Sequence, residues 1–373
     1  MGDVSVSAVH ERGRGHMNRR ASVVALKSVF RRVVILNLLW ISFFSHAHAQ
    51  DADAQVADFY RGKTISIVVG VSTGGGYDLT ARVLARYLGK YVPGHPNVVV
   101  QSRPGASSVL AANFVAAVAP PDGTVIAAVQ RNIPVQFLFD MTGVQFDLKQ
   151  LQWIGSTAKE PGVFVSARSA PQRTLKDFQT TEMFVGGGGP TTDSEINARA
   201  LNSLFGTKLK IVSGYPGQTE MLLSMQRGEI QGIANWSWSD IVSRNPDWIT
   251  QKTVNLLLQF APEPIPELSG TPFILDLARK DDDRAVLRLL MEAKEFGRPY
   301  FMSPKVPVER IAAIRKAFDA TMKDPEFIAE ATKTLGPVDP ISGPRMQERL
   351  ADVYATPSAL VERANAAAAA PAN

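Results

Sequence analysis

The sequence predicts an α/β protein built from two units, each of them a mainly parallel sheet flanked by helices. Two observations lead to this prediction. Short β-rich runs alternate with segments whose apolar residues recur every three or four positions. In addition, each half of the chain has one glycine-rich turn between a strand and a helix. Strands that alternate with helices over compact connections form parallel sheets covered by helices.

The first unit has the order β-α-β-α-β. Strands are predicted over residues 64–69, 97–101 and 124–129, where β-branched residues are concentrated. Helices are predicted over residues 79–88, from apolar spacing, and over residues 107–118, from alanine content. This order places the carboxyl ends of the three strands at one edge of a sheet.

The second unit repeats the alternation and is followed by a helical C-terminal part. The predicted strands cover residues 163–166, 183–185, 208–212, 228–234 and 254–259. The predicted helices cover residues 174–178, 193–205 and 218–227, and a further helix follows Pro307. Prolines between residues 262 and 272 interrupt regular structure.

We expect the chain to divide into five parts. These are a signal peptide over residues 1–49, the first part of domain 1 over 54–158, domain 2 over 159–256, the second part of domain 1 with C-terminal helices over 257–364, and a frayed alanine-rich tail over 365–373.

The beginning of the chain has the features of a secretory signal peptide. A basic region ends at Arg31-Arg32, a mostly apolar run of 12 residues covers 33–44, and Ala47-His48-Ala49 supplies the small residues of a cleavage site. At about 1.5 Å per residue, such a run is too short to cross a hydrocarbon core of about 30 Å. We therefore expect cleavage near Ala49 and a periplasmic mature protein, with Met17 as a possible true start.

Charge and composition exclude several classes of function. Residues 1–49 carry seven basic and two acidic side chains, so the rest of the chain carries 33 of each sign. This balance gives no support for nucleic-acid binding. Cysteine is absent, and only His95 of the five histidines lies beyond residue 49. We therefore expect no metal site and no cofactor.

The two glycine-rich turns, residues 70–76 and 186–189, are the candidate binding elements. In open parallel sheets, ligands bind beyond the carboxyl ends of the strands, where helix N-termini present free N–H groups that attract anions. Nearby hydroxyl groups would add hydrogen-bond donors for the anion, and the carboxylate of Asp78 would cap its helix or order the loop. One such turn in each lobe predicts a small organic anion, such as a dicarboxylate, held between two lobes. Either turn alone is equally compatible with an ordinary tight turn.

A different motif keeps an enzymatic alternative open. Gly70-Val71-Ser72-Thr73-Gly74 matches the G-x-S-x-G pattern of α/β hydrolases, in which the serine is the nucleophile. In these hydrolases the chain order of the catalytic residues is serine, acid, histidine. The only candidate histidine here is His95, 23 residues after Ser72. A secreted serine hydrolase that uses Ser72 is therefore an alternative, but we do not favour it.

Several short motifs together resemble the Bug-type (TctC-like) extracytoplasmic solute receptors of tripartite tricarboxylate transporters. The motifs are residues 59–63, 74–82, 103–106, 121–124, 186–192, 214–217 and 228–230, and they occur in the order of that family. The resemblance covers roughly residues 56–350. Two departures from the family pattern are Thr73, where the family often has proline, and the lack of a histidine near Ile196.

The resemblance implies a two-lobed periplasmic binding protein of type II-like fold that closes on a carboxylate and catalyses no reaction. It also implies membrane permease subunits of a tripartite transporter as partners, and we expect a monomer. A periplasmic sensor for a two-component system is the alternative use of the same fold. The expected ligand-binding residues are Ser72, Thr73, Gly74, Gly75, Gly76, Tyr77, Asp78, Arg131, Asn132, Gly187, Gly188, Gly189, Thr191, Thr192 and Asn235. Arg131 is expected to grip a carboxylate with its planar guanidinium, although an ordinary surface arginine would fit the same sequence.

Overall fold

The computed structural model describes residues 53–138 and 141–369. The predicted signal peptide and the last residues of the predicted tail, 370–373, lie outside the described residues. All the elements below belong to one compact unit, which begins at Val56. Within the described residues, no helix combines the length and apolar character needed to cross a bilayer.

The strands and helices are numbered in chain order. The strands are β1 Thr64–Val69, β2 Asn97–Ser102, β3 Val125–Ala128, β4 Gln152–Ser156, β5 Gly162–Ala167, β6 Met183–Gly186, β7 Leu209–Val212, β8 Gly232–Ser237, β9 Val254–Phe260, β10 Pro299–Met302 and β11 Ile341–Ser342. The α-helices are α1 Gly76–Tyr91, α2 Val109–Asn113, α3 Leu175–Thr180, α4 Asp193–Phe205, α5 Gln218–Gln226, α6 Trp238–Arg244, α7 Asp247–Thr250, α8 Asp281–Met291, α9 Val308–Thr321, α10 Pro325–Leu335, α11 Gly343–Tyr354 and α12 Ser358–Ala368. A π-helical turn, Phe114–Val118, extends α2, and short 3₁₀ helices cover Ala106–Ser108, Ile133–Leu138, Pro266–Leu268, Ile274–Leu277 and Glu292–Phe296.

The first sheet has the strand order β2-β1-β3-β10-β4-β11. As predicted, β1 pairs in parallel with both β2 and β3. The sequence analysis missed β10, which inserts antiparallel between β3 and β4. Consequently β1 to β4 all point in one direction, and β10 and β11 are reversed.

The second sheet has the order β7-β6-β8-β5-β9. Here β6 is parallel to β7 and β8, whereas β5 is antiparallel to both of its neighbours. Two details differ from the expected boundaries. The strand expected from residue 228 begins at Gly232, because Gly228 has a φ of +78° in a turn that follows α5. Strand β9, expected over residues 254–259, runs one residue further, because it pairs with β5 as far as Phe260.

Each sheet supplies its own apolar interior, and one large cluster extends through both. In this cluster the rings of Trp153 and Phe301 meet edge to face at 5.3 Å, and those of Phe164 and Phe178 stack at 5.3 Å. The first pair belongs to the first sheet, and the second pair lies on the second sheet. The chain passes from the first sheet to the second after β4 and returns before β10. Two crossing segments therefore connect the two lobes.

The C-terminal segment is ordered helix rather than the frayed tail expected from residue 365. Helix α12 ends at Ala368, and its residues Ala364, Ala367 and Ala368 are buried in the large cluster. The backbone oxygen of Ala368 also accepts a hydrogen bond from Arg199 on α4. Small alanine side chains allow this close packing, which composition alone does not reveal.

We expect the substitution Ala367→Glu to lower the free energy of unfolding by about 2–4 kcal/mol, because it forces a charged side chain into a packed interior. The neighbouring Ala366 is exposed, so Ala366→Glu serves as the matched control and should change stability by less than about 0.5 kcal/mol. Urea unfolding of both variants measures the difference. Equal, small effects would mean that the helix end does not pack in solution.

Candidate functional site

A cavity of about 110 Å³ lies between the two sheets, at the carboxyl ends of their parallel strands. Since one water needs about 10–15 Å³ on this measure, the space admits a small organic molecule. Its lining comprises Val71, Ser72, Gly75, Gly76, Tyr77, Gln130, Arg131, Asn132, Gly188, Thr192, Asp193, Ser194, Tyr215, Pro216, Gly217, Gln218, Met221, Asn235 and Ser237. Both lobes contribute, so the two glycine-rich turns open onto one shared space.

The structure brings nine of the fifteen expected residues to this cavity. They are Ser72, Gly75, Gly76, Tyr77, Arg131, Asn132, Gly188, Thr192 and Asn235. The others, Thr73, Gly74, Asp78, Gly187, Gly189 and Thr191, are next to lining residues in the chain but do not line the cavity themselves. Among them, Asp78 orders the first turn, because its Oδ2 accepts hydrogen bonds from the Gly74 N–H at 2.9 Å and from Arg82 Nε at 2.9 Å.

Two helices begin at the cavity, one from each lobe. Helix α1 starts at Gly76 and α4 starts at Asp193, and neither has a side chain that caps its first turn. The first N–H groups of a helix have no partner within the helix, and the helix dipole adds a partial positive charge there. The cavity is therefore bordered by two positive helix ends without any contribution from a free cation.

Arg131 reaches the cavity but is already engaged with the protein. Its Nε donates to the carboxylate of Asp193, and its Nη1 donates to the backbone oxygen of Glu160 at 2.9 Å. The arginine is 4% exposed. The sequence suggested that the guanidinium forms bidentate hydrogen bonds with a ligand carboxylate. In this arrangement it cannot do so, because the carboxylate of Asp193 already occupies the guanidinium.

Asp193 is surrounded by three donors. Besides Arg131, Lys294 Nζ lies 2.6 Å from its Oδ2, and Asn132 Nδ2 lies 2.8 Å from its Oδ1. Burial would raise the pKa of Asp193, but Arg131 and Lys294 outweigh that effect and hold the pKa below its ordinary value. Burial lowers the pKa of Lys294 to about 7, with Asp193 opposing the shift.

A second buried ion cluster lies beside the first. Arg298 Nη2 lies 2.9 Å from Glu160 Oε2 and 3.9 Å from Asp240 Oδ1, and the guanidinium sits over the ring of Tyr77 at 4.6 Å. Glu160 also accepts a hydrogen bond from the Ser239 hydroxyl at 2.6 Å. Together the two clusters contain three cationic and three anionic side chains, so the base of the cavity is electrically balanced.

Glu195 orders the second glycine turn. The sequence Thr192-Asp193-Ser194-Glu195 fits a capping box, but Glu195 Oε1 accepts instead from the Gly189 N–H at 2.7 Å. Its other oxygen accepts from Arg199 Nη1 at 2.9 Å. A Cβ atom at Gly187 would lie 2.3 Å from the Glu195 side chain, so this turn needs glycine for close approach.

A strained segment supports the first lobe's side of the cavity. Four consecutive residues have positive φ angles: Gly105 at +137°, Ala106 at +45°, Ser107 at +51° and Ser108 at +77°. The hydroxyl of Ser108 donates to the Gly70 carbonyl at 3.0 Å and accepts from the Gln130 N–H at 3.2 Å. Strain of this kind persists only where the surroundings impose it. Here the strained segment places the Ser108 hydroxyl where it links the ends of β1 and β3, next to the cavity.

The proposed hydrolase pair does not assemble. Ser72 follows the carboxyl end of β1, whereas His95 precedes β2, whose first residue pairs with the first residue of β1. A six-residue strand at about 3.3 Å per residue separates the two sites. The hydroxyl of Ser72 instead faces the carbonyl of Pro216 at 3.4 Å, across the cavity.

Sequence reasoning did not single out several lining residues. Asp193 and Ser194 appeared only as the start of a helix, since nothing local identifies the distant partners of a first-turn aspartate. Tyr215, Pro216 and Gly217 were part of a family motif but were not assigned to the site. Their position directly after β7, at the same sheet edge, is the signal that could have identified them.

Residues 80–244 match the model of the tripartite tricarboxylate transporter family receptor, TctC. Over these residues the chain is similar to that receptor family. A curated relative, the UPF0065 protein in the gbd 5′ region of Cupriavidus necator, is 28% identical over 204 residues. That match covers 52% of the TctC-like chain and 60% of the relative, so the chain spans less than two thirds of the relative's length.

Solved structures of similar proteins agree with this fold. The periplasmic binding protein BugD is 17% identical with a TM-score of 0.64, over 82% of the TctC-like chain and 97% of BugD. An R. palustris protein with adipate is 17% identical with a TM-score of 0.63, over 81% and 97% of the chains. MatC from Rhodopseudomonas palustris with bound malate is 16% identical with a TM-score of 0.61, over 82% and 99%. The TctC-like chain thus has the two-lobed fold of periplasmic binding proteins, as predicted.

The depressed pKa of Lys294 gives a testable pH dependence of stability. Between about pH 7 and the ordinary lysine pKa of about 10.4, the unfolded chain binds more protons than the folded chain. The free energy of unfolding should therefore gain about 2 kcal/mol from this group between pH 7 and pH 9. In Lys294→Met that gain should be missing.

Denaturant unfolding at pH 7, 8 and 9 measures the effect. The control is Lys176→Met, an exposed lysine on α3, which should keep the wild-type dependence on pH. If the free energy of unfolding changes with pH to the same extent in wild type and in both variants, Lys294 stays charged in the folded protein throughout this interval.

Proposed function

We propose that this protein is a periplasmic receptor that binds a small organic carboxylate in the cavity and passes it on unchanged to a tripartite-transporter permease. The observation that carries the proposal is that α1 and α4, from opposite lobes, begin at the same cavity. Two helix ends can hold an anion with main-chain N–H groups and their dipoles. The adipate and malate named for two structures of the same fold are consistent with this ligand class.

The lobes touch across the cavity, which suggests how a ligand is enclosed. Ser72 meets the Pro216 carbonyl, and Arg244 Nη2 meets the Gly74 carbonyl at 3.4 Å. These two contacts are long, whereas the short contacts between the lobes, such as the Arg131–Asp193 ion pair, lie at the base of the cavity. We infer that the lobes part to admit the ligand and that the closed form is what the permease recognises.

A thermal-shift screen with monocarboxylates, dicarboxylates and tricarboxylates tests the ligand class. A ligand present at about one hundred times its Kd should stabilise the protein by about 2.7 kcal/mol. The stabilisation should disappear in Gly75→Leu. Gly75 has a φ of −79°, and a Cβ atom there would meet only the Ser72 oxygen at 4.0 Å, so the new side chain intrudes into the cavity without straining the fold.

The matched control is Gly270→Leu, an exposed glycine with nothing within 4 Å of its Cβ position. It should respond to the ligand as wild type does. If wild type responds to no carboxylate, or if Gly75→Leu responds fully, binding at this cavity is refuted.

We also propose export to the periplasm with cleavage near Ala49. Expression of the full chain in a Gram-negative host, followed by fractionation and N-terminal sequencing, should give a periplasmic protein that starts at or near Gln50. Full-length protein in the cytoplasm would contradict the proposal. Substitution of Ala49 with a bulky residue should slow processing, because signal cleavage requires small residues there.

A further inference from the structure

We propose that Asp193 sets the charge of the ligand that this cavity accepts. Its carboxylate acts as a built-in counter-anion to Arg131 and Lys294, so that the cavity favours a ligand with a single carboxylate over ligands with two or three. This inference rests on the proposed function and makes it more specific. Asp193 acts here as a specificity-determining residue.

The geometry shows how completely Asp193 occupies the cations. Its Oδ2 accepts from Arg131 Nε and from Lys294 Nζ at 2.6 Å, and its Oδ1 accepts from Asn132 Nδ2 at 2.8 Å. Arg131 and Asn132 follow β3 in the first lobe, whereas Asp193 opens α4 in the second. The Asp193 side chain is 10% exposed and that of Lys294 is 1% exposed, so the carboxylate stands between the lysine and the cavity.

The remaining lining has no free charge to offer. Among the described residues that line the cavity, only Arg131 and Asp193 are ionised, and they are paired with each other. Behind them, Arg298 is paired with Glu160 and lies near Asp240. Every strong cation at the base therefore has an anionic partner before any ligand arrives.

What is left for an anion is the pair of helix ends. Each helix end is equivalent to roughly half a positive charge, so two of them compensate about one negative charge. A second or third carboxylate would enter a largely enclosed space without a counter-charge, and its desolvation would not be repaid. Val71, Pro216 and Met221 add apolar surface for the uncharged part of the ligand.

The test compares butanoate, succinate and propane-1,2,3-tricarboxylate by calorimetric titration at fixed pH and ionic strength. In wild type we expect butanoate to bind most tightly of the three. Asp193→Asn keeps the size of the side chain and removes its charge, so that Arg131, which stays charged at every working pH, loses its anionic partner at the cavity. In this variant we expect the ratio of the affinity for succinate to the affinity for butanoate to rise about tenfold. The ratio of the affinity for the tricarboxylate to the affinity for butanoate should rise by more.

Two further variants separate the charge effect from damage to the fold. Asp193→Asn combined with Arg131→Gln removes one full charge of each sign and should return the wild-type order. If Asp193→Asn alone does not fold, this balanced variant and wild type are compared with Lys294→Met alone, which leaves excess negative charge and should disfavour succinate further. Asp352→Asn, an exposed aspartate on α11, is the control and should leave all three affinities unchanged.

The outcomes distinguish this inference from the proposed function. If Asp193→Asn changes the affinity for all three probes by the same factor, Asp193 is only a structural residue and the inference is wrong. A wild-type preference for the tricarboxylate would overturn it as well. If wild type binds none of the three probes and no carboxylate in the wider screen, the proposed function itself fails.

Discussion

The ion pair between Arg131 and Asp193 is the interaction on which the site depends. It joins the loop after β3 of the first sheet to the first residue of α4 beside the second, so it spans the space between the lobes. Two buried charges lose most of their hydration, and their attraction repays that loss only when the remaining donors and acceptors are satisfied. Lys294, Asn132 and the Glu160 carbonyl satisfy them here. Removal of Asp193 would leave Arg131 buried without a carboxylate partner, and removal of Arg131 would leave Lys294 as the cation paired with Asp193.

This arrangement explains why the cavity is bordered by glycine and main-chain atoms. Because the cations are committed to internal partners, the groups left to face a ligand are N–H groups at two helix starts and neutral side chains. Main-chain N–H groups reach a ligand only where no side chain intervenes, which is the case at Gly75 and Gly188. Glu195 and Asp78 then hold the two turns in place from behind, each by accepting a hydrogen bond from a glycine N–H. These two anionic side chains thus shape the site without lining the cavity.

Elements with a strong local pattern could be predicted from the sequence. Helix α4 has the bounds that its pattern indicated, and β1, β2 and β3 lie where β-branched residues cluster. Strand β10 could not be predicted, because four residues show too little alternation and their partners in β3 and β4 are more than 140 positions away. The same limit applies to the site. The sequence places Arg131 at a strand end, but no local feature indicates that its partner is Asp193, 62 residues further along.

The same distribution of charges argues against the serine-hydrolase alternative more strongly than the missing motif does. A hydrolase needs a group beside its nucleophile that takes up and returns a proton. Ser72 faces a carbonyl, and His95 lies at the other end of β1. Lys294 is the described group near the cavity whose pKa is shifted towards neutral pH, yet its Nζ is bonded to Asp193 and to Asn235 Oδ1 at 2.9 Å, behind the lining. Its proton therefore stabilises the boundary between the lobes and is not directed at the space that a substrate would occupy. This arrangement supports the proposed role in binding an anion better than it supports proton-transfer catalysis.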